Sequence, residues 1–458
     1  MSESPTPSPA AGSGSARQPQ YANDRRAGDP CEVLAAFLRL GCTSFGGPIA
    51  HLGYFRAEFV ERRRWCREET FAEIVAISQS LPGPASSQTG FALGLLRAGW
   101  LGGLAARTGF TLPSALLMLV FAFAHGRLTG KIGLGVVHGL QLVAVAVVAQ
   151  AVLAMRRSLA PDAARMLVAA LAAIVVYWSG QTLPAIAMGA LLGWLNSSKP
   201  TTDLPGAPLP DATVPPRATG ADAPAAGLSR RTGLAAATLF LALLVLLPVA
   251  DALAARFSLQ SSAARLAAQP IAVAHAFFRS GALVFGGGHV VLPLLERAVV
   301  ARGWAGQTDF LSGYGAAQAL PGPLFCFAAY LGAIIRPTPM GSPTSPSLAC
   351  WGGSPLALSV VALITIFLPG LLLMVAIVPF WSGLRRRPLM LRCLRGVNAA
   401  VVGVLIAALI RPVWTSAVHS LPDMAVAVAG LVLLVRYKIP PWLLVLCVTL
   451  LSALISAA

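Results

Sequence analysis

Two arginines, Arg39 and Arg279, stand inside otherwise apolar stretches, each six residues before the phenylalanine of a glycine run, Phe45-Gly46-Gly47 or Phe285-Gly286-Gly287. An arginine within a membrane-spanning helix costs at least ~2.5–3.5 kcal/mol, so a matched pair needs a reason. The guanidinium is always charged and offers a planar fork of donors, which suits tetrahedral oxyanions. The adjacent glycines cost about 1 kcal/mol each in a helix interior and Pro48 about 3, which predicts unwound backbone beside both arginines.

A second pair of motifs sharpens this. Pro82-Gly83-Pro84 and Pro321-Gly322-Pro323 each interrupt a long apolar stretch, Leu81 and Leu320 preceding them. Each stretch must then be two half-helices. The second proline fits the start of the following half-helix, where a missing N–H is harmless. The amides that follow, Ala85 to Gln88 and Leu324 to Phe327, would turn the positive end of a helix dipole into the membrane and form an anion site. In the first copy Ser86, Ser87, Gln88 and Thr89 add side-chain donors; in the second Leu324, Phe325, Cys326 and Phe327 do not. The first copy is therefore expected to hold more of the binding energy. Gln79 and Gln318 precede the breaks, and Gln141 and Asn398 occupy matched positions, Asn398 being a candidate ligand. His51 and His289 flank the glycine runs at unequal offsets, which fits satisfied histidines better than a proton relay.

The elements that must position these groups are helices. With 56% hydrophobic and 11% charged residues, against about 25% charged in soluble domains, most of the chain is built for lipid. About thirteen apolar segments of suitable length follow: 31–50, 71–97, 99–125, 132–155, 165–179, 183–197, 234–257, 271–295, 310–335, 355–381, 396–417, 421–436 and 440–457. The fold class read from this is an all-α polytopic membrane protein of about 12–13 transmembrane helices in two homologous repeats with broken helices.

The repeats are secure. Phe285 follows Phe45 by 285 − 45 = 240 residues, and Leu320 follows Leu81 by 239. Leu368-Pro369 follows Leu112-Pro113 by 256 and Gly396 follows Gly139 by 257, so the second copy carries an insertion within 336–354. If each copy holds about six spans, the unmatched span 234–257 turns the second upside down, as in many secondary transporters. The arginine bias supports inversion in part: it favours Arg297, Arg302 and 385–395 inside, and then puts the cluster 56–67 outside. The expected organisation is a tail over 1–30, a first repeat over 31–197, a flexible Pro/Ala/Gly/Asp linker over 198–231, a connecting helix region over 232–268 and a second repeat over 269–458.

A net charge of +17 suggests lipid head groups, not nucleic acid, because no nucleic-acid motif accompanies it. Seven scattered cysteines, with no CxxC and no Cys/His cluster, read as free buried thiols and not as a metal site or disulfide framework. Residues 1–30 lack the apolar core of a cleavable signal peptide. There is no phosphate loop, HExxH or nucleophile elbow, so neither ATP hydrolysis nor an enzyme is expected, and no cofactor.

Together the segments Phe37–Arg56, Leu81–Pro84, Phe285–Gly288, Ala317–Ala333, Gly396–Gly403 and Pro412–Ala417 resemble the chromate ion transporter family in its long two-domain form. The resemblance covers 31–457; Cys326, where a polar residue such as asparagine is expected, and the 336–354 insertion are departures. It implies chromate efflux and resistance across the cytoplasmic membrane, with sulfate as the chemically similar competitor. The expected site is Arg39, Gly46, Gly47, Pro82, Gly83, Pro84, Ser86, Gln88, Arg279, Gly286, Gly287, Pro321, Gly322, Pro323 and Asn398, at the repeat interface. An anion channel and a flux-free sensor or structural subunit are the alternatives, and a homodimer is compatible with any of them.

Overall fold

The computed structural model describes residues 28–195, 228–257, 262–335, 354–384 and 388–457, and among them there is helix and no strand. The N-terminal tail, most of the linker, the insertion and Arg385–Arg387 lie outside the described residues.

The chain enters at α1, Pro30–Thr43, capped by Asp29, whose carboxylate accepts from the Cys31 amide at 2.9 Å. The glycine run breaks the helix as its composition requires, with Gly46 and Gly47 at φ 100° and 80°. Then α2, Gly47–Phe55, leads back the way α1 came. Phe37 stacks on Phe59 at 4.7 Å and meets Phe55 edge-on at 5.4 Å, while Arg63 reaches Glu32 at 3.3 Å. A second hairpin follows: α3, Glu68–Ser80, descends to the proline break, and α4, Ala85–His125, begins beyond it. α4 is not one rod. Ala98 and Gly99 leave helical geometry, and residues 85–97 and 100–125 fold against each other. Contact there is so close that a Cβ on Gly94 would lie 2.3 Å from the Gly102 carbonyl, and one on Gly102 as close to Gly94. Only hydrogen fits. Arg97, ending the first limb, bonds Glu32 at 3.1 Å and receives the Gly28 amide at 2.9 Å, so both hairpins open on one face.

The limb 100–125 crosses to the opposite face, where His125 meets Asp309 at 3.1 Å. There follow α5, Gly130–Leu159; α6, Ala163–Ser179, capped by Asp162 and ended by Gly180 at φ 67°; and α7, Thr182–Leu195. After the linker comes α8, Arg230–Phe257. The second copy repeats the plan: α9, Ser262–Ala282, and α10, Val291–Val299, form one hairpin; α11, Gln307–Ala317, and α12, Phe327–Ile334, form the other. Asp251 of α8 touches His275 at 2.8 Å and Arg302 at 3.7 Å, and the Tyr330 hydroxyl donates to the Asp309 carbonyl at 2.8 Å. These hairpins therefore open on the His125 face. The second copy is inverted. It closes with α13, Pro355–Ile377, then α14, Pro388–Ala408, α15, Leu421–Arg436, and α16, Pro441–Ala457.

Among the described residues, five helical stretches are long and apolar enough to cross a bilayer, with α6, α7, the stretch Leu324–Ile334 and α16 as shorter apolar helices. Four of the expected spans, 31–50, 71–97, 271–295 and 310–335, are hairpins that return to their own face. Hydropathy measures the length of an apolar stretch and not its direction, so a broken hairpin reads as a span. The arginine conflict goes with it. Arg62–Arg64, Arg97, Arg156, Arg157, Arg392 and Arg395 share the Glu32 face, whereas Arg297 and Arg302 lie toward the other.

The six described cysteines are free, yet only Cys326 is buried: Cys66 and Cys393 are half-buried, and Cys31, Cys42 and Cys447 are exposed.

Candidate functional site

The four breaks meet between the two copies. At the first proline break the Gly83 amide donates to the Val284 carbonyl, in the turn before the second glycine run, at 2.7 Å. At the second, the Gly322 amide donates to the Ser44 carbonyl, in the turn before the first glycine run, at 2.8 Å. The bonds are equivalent under the repeat, since 322 − 83 = 239 and 284 − 44 = 240. Pro48 reaches within 3.5 Å of where a Gly288 Cβ would sit, so the glycine runs also touch.

Each proline break also rests on the kinked helix of the other copy. A Cβ on Gly83, at φ 120°, would lie 2.9 Å from the Gly370 Cα, one residue after Pro369. A Cβ on Gly322, at φ 92°, would lie 2.1 Å from the Ser114 Oγ, one residue after Pro113. Gln88 holds the first contact: its Nε2 donates to the Pro82 carbonyl at 3.0 Å and the Gly370 carbonyl at 2.9 Å. Ser114 holds the second, its hydroxyl donating to the Pro321 carbonyl.

Around the first break Ser86, Ser87, Gln88 and Thr89 are all buried. His51 lies above them, its Nε2 3.2 Å from the Ser44 carbonyl and its Nδ1 3.4 Å from the Ser86 hydroxyl. A carbonyl only accepts, so Nε2 carries the proton and Nδ1 accepts from Ser86. Thr89 donates to Ser78 at 3.0 Å. The hydroxyls of Ser44 and Ser87 and the Gln88 Oε1 are buried without a partner. Such orphans are few in native proteins and mark a place where polar contacts are unfinished. His289 is likewise satisfied, its Nδ1 2.9 Å from the Tyr314 hydroxyl.

The free amides are fewer than the sequence suggests. Gln88 N bonds the Pro84 carbonyl at 3.0 Å, as the fourth amide after an N-cap does. In the second copy the half-helix starts with a tighter turn, so the Cys326 and Phe327 amides are already taken by Pro323, Leu324 and Phe325 carbonyls. Ala85, Ser86 and Ser87 remain in the first copy, and Leu324 and Phe325 in the second.

Of the expected site residues, the structure gathers Gly46, Gly47, Pro82, Gly83, Pro84, Ser86, Gln88, Gly286, Gly287, Pro321, Gly322 and Pro323 at these breaks. Asn398 joins them, its Oδ1 3.7 Å from where a Gly286 Cβ would be. Arg39 and Arg279 do not join. Both are exposed on outward faces of α1 and α9, and no hydrogen bond or ion pair among the described residues ties them to the breaks. A cation that does reach the second break is Arg107, over the Phe367 ring at 4.8 Å, and that ring packs against Phe325 with centroids 5.6 Å apart. Its signal in the sequence is that it is the one Asp, Glu, Lys or Arg between Trp100 and His125. A cavity of about 10 Å³ lies at the second break, lined by Ser114, Pro321, Gly322, Pro323 and Cys326 among others. That is room for about one water molecule.

The Chromate transporter family matches residues 31–194 and 271–454, the two copies described above. A chromate transport protein of Pseudomonas aeruginosa is 30% identical over 312 residues, 66% of this chain and 65% of that protein. A probable chromate transport protein of Synechococcus elongatus is 25% identical over 88% of both chains. A chromate transport protein of Cupriavidus metallidurans is 24% identical over 89% of this chain and 88% of its own. No solved structure matches.

Proposed function

This chain belongs to the chromate transporter family, and from that premise we propose that it is a secondary transporter exporting chromate across the cytoplasmic membrane. The observation that carries the reading is the reciprocal pair of amide bonds, Gly83 to Val284 and Gly322 to Ser44. They lock two backbone breaks of opposite orientation at one level, with unpartnered hydroxyls and half-helix amides around them. A tetrahedral dianion is the ligand such donors suit. Sulfate shares the shape and charge and is the expected competitor.

The packing of the breaks favours a carrier over a channel. With Gly83 bonded to Val284 and Gly322 to Ser44, an oxyanion passes between the copies only when the breaks move apart. Inverted copies supply that movement, since each hairpin pair opens on its own face. The arginine-rich Glu32 face is the cytoplasmic one by the positive-inside rule, which gives the resting chain its orientation. Arg39 and Arg279 then serve the approaches, one on each outward helix, and the breaks hold the anion. The test is flux: purified protein in proteoliposomes should move chromate, slowed by sulfate, at carrier rates. Absence of chromate flux in well-folded protein would reject the reading.

A further inference from the structure

The second break carries Leu324, Phe325, Cys326 and Phe327, yet the wall facing it is polar. Along α4, Arg107, Thr111 and Ser114 fall at i, i+4 and i+7, on one face of a helix that is apolar around them. All three meet the second break. The Ser114 hydroxyl donates to the Pro321 carbonyl, the Cys326 thiol donates to the Thr111 carbonyl at 3.4 Å, and Arg107 stands over Phe367, whose ring packs against Phe325 of the break with centroids 5.6 Å apart. Under the repeat the equivalent positions of α13 are Leu363, Phe367 and Gly370 (offset 256), and the Gly370 carbonyl faces the polar first break through Gln88. Each break therefore has one polar wall and one apolar wall, and both polar walls belong to α4.

Within that wall Arg107 is the anomaly. Its Nε is buried with no hydrogen-bond partner, and no carboxylate pairs with it among the described residues. The ring of Phe367 under the guanidinium, at 4.8 Å, holds it inside the protein and not out toward head groups. Thr111, one turn on, also buries an unpartnered hydroxyl. Arg107 as a whole is half-buried, and a guanidinium drawn into the protein without a counter-charge is a costly arrangement that an arriving anion would relieve.

We propose that Arg107 is the cation that binds the oxyanion at the second break, so that α4 of the first copy supplies side-chain ligands at both breaks. This rests on the transport reading above. It also removes the expectation that the second break depends on backbone alone.

The test uses the full-length protein in lipid nanodiscs and equilibrium binding of radiolabelled chromate. Wild type should bind saturably and melt at a higher temperature with chromate present. Arg107→Gln should lose roughly tenfold to a hundredfold in affinity, the range of a charge-assisted hydrogen bond, and lose the thermal shift. Arg107→Lys keeps the charge without the planar fork and should show a smaller loss in the same direction. Wild-type affinity in Arg107→Gln with its melting temperature preserved overturns the assignment. Should the glutamine variant not fold, wild-type affinity in Arg107→Lys overturns it equally. If wild type itself neither binds nor moves chromate, the transport reading falls first and the inference with it.

Discussion

Gly83 donates its amide to Val284 across the boundary between the copies, at 2.7 Å. The bond can form only because residue 83 sits at φ 120° with no side chain; a Cβ there would be 2.9 Å from the backbone Cα of Gly370. At Gly322 the first obstacle is instead a side chain, the Ser114 hydroxyl, with the Phe110 carbonyl behind it at 3.3 Å. The two glycines should therefore respond differently to rescue.

Gly83→Ala and Gly322→Ala should each abolish flux, with a strain of about 1–3 kcal/mol from the left-handed backbone. Adding Ser114→Gly to Gly322→Ala should restore part of the melting temperature. No side-chain trimming should restore Gly83→Ala, because backbone stands in the way. Thermal melts of the single and double variants decide this, and equal rescue at both sites would contradict the packing described.

Arg39→Ala and Arg279→Ala should each reduce chromate flux less than Arg107→Gln does. The outward arginines are exposed, whereas Arg107 is held under Phe367 beside the break. Initial rates at matched protein abundance make the comparison. A larger loss at either outward position would move the binding cation there.

Export should follow the membrane potential. One charge through 100 mV is worth about 2.3 kcal/mol, so a dianion leaving a negative interior gains roughly 4.6 kcal/mol. That sustains over three decades of gradient at ~1.4 kcal/mol per tenfold. Valinomycin-set potentials of opposite sign should accelerate and suppress flux. Flux that ignores the potential and follows an imposed pH gradient would replace this account with proton coupling.

On the Glu32 face, burial alone would raise the Glu58 carboxyl, but hydrogen bonds from Arg62 and Arg63 outweigh it and hold the group below the ordinary carboxylate range. A carboxyl lowered in the folded state adds stability above its unfolded value near ~4.3, and that stability is lost as pH falls through the folded value. Wild type should therefore lose melting temperature on acidification below about pH 4 more steeply than Glu58→Gln. Parallel melting curves would show that the Arg62 and Arg63 contacts contribute nothing.

How much of this was legible in the sequence varies by feature. The duplication could be read because Phe45 and Phe285, or Leu81 and Leu320, keep their spacing whatever the fold does. The breaks could be read because Pro82 and Pro321 cannot continue a helix. The hairpins could not, since Arg97-Ala98-Gly99 reads equally well as a loop between two full spans and as the turn that folds α4 back on itself. Arg107 was missed for a different reason. A search for matched cations finds Arg39 and Arg279, and position 363, the partner of Arg107, is leucine. Their equivalence under the repeat placed the first two on equivalent outward faces, where the helices that carry them turn their arginines away from the breaks.

The bond from Gly83 to Val284 also sets an order on biosynthesis. Its acceptor lies 284 − 83 = 201 residues further along the chain. At about 5–20 residues per second the acceptor is made on the order of ten to forty seconds after its donor. Through that interval the first proline break has no partner for an amide that hydrocarbon cannot satisfy. The nascent first copy must therefore wait hydrated or sheltered, and it closes only when the inverted second copy has been inserted beside it.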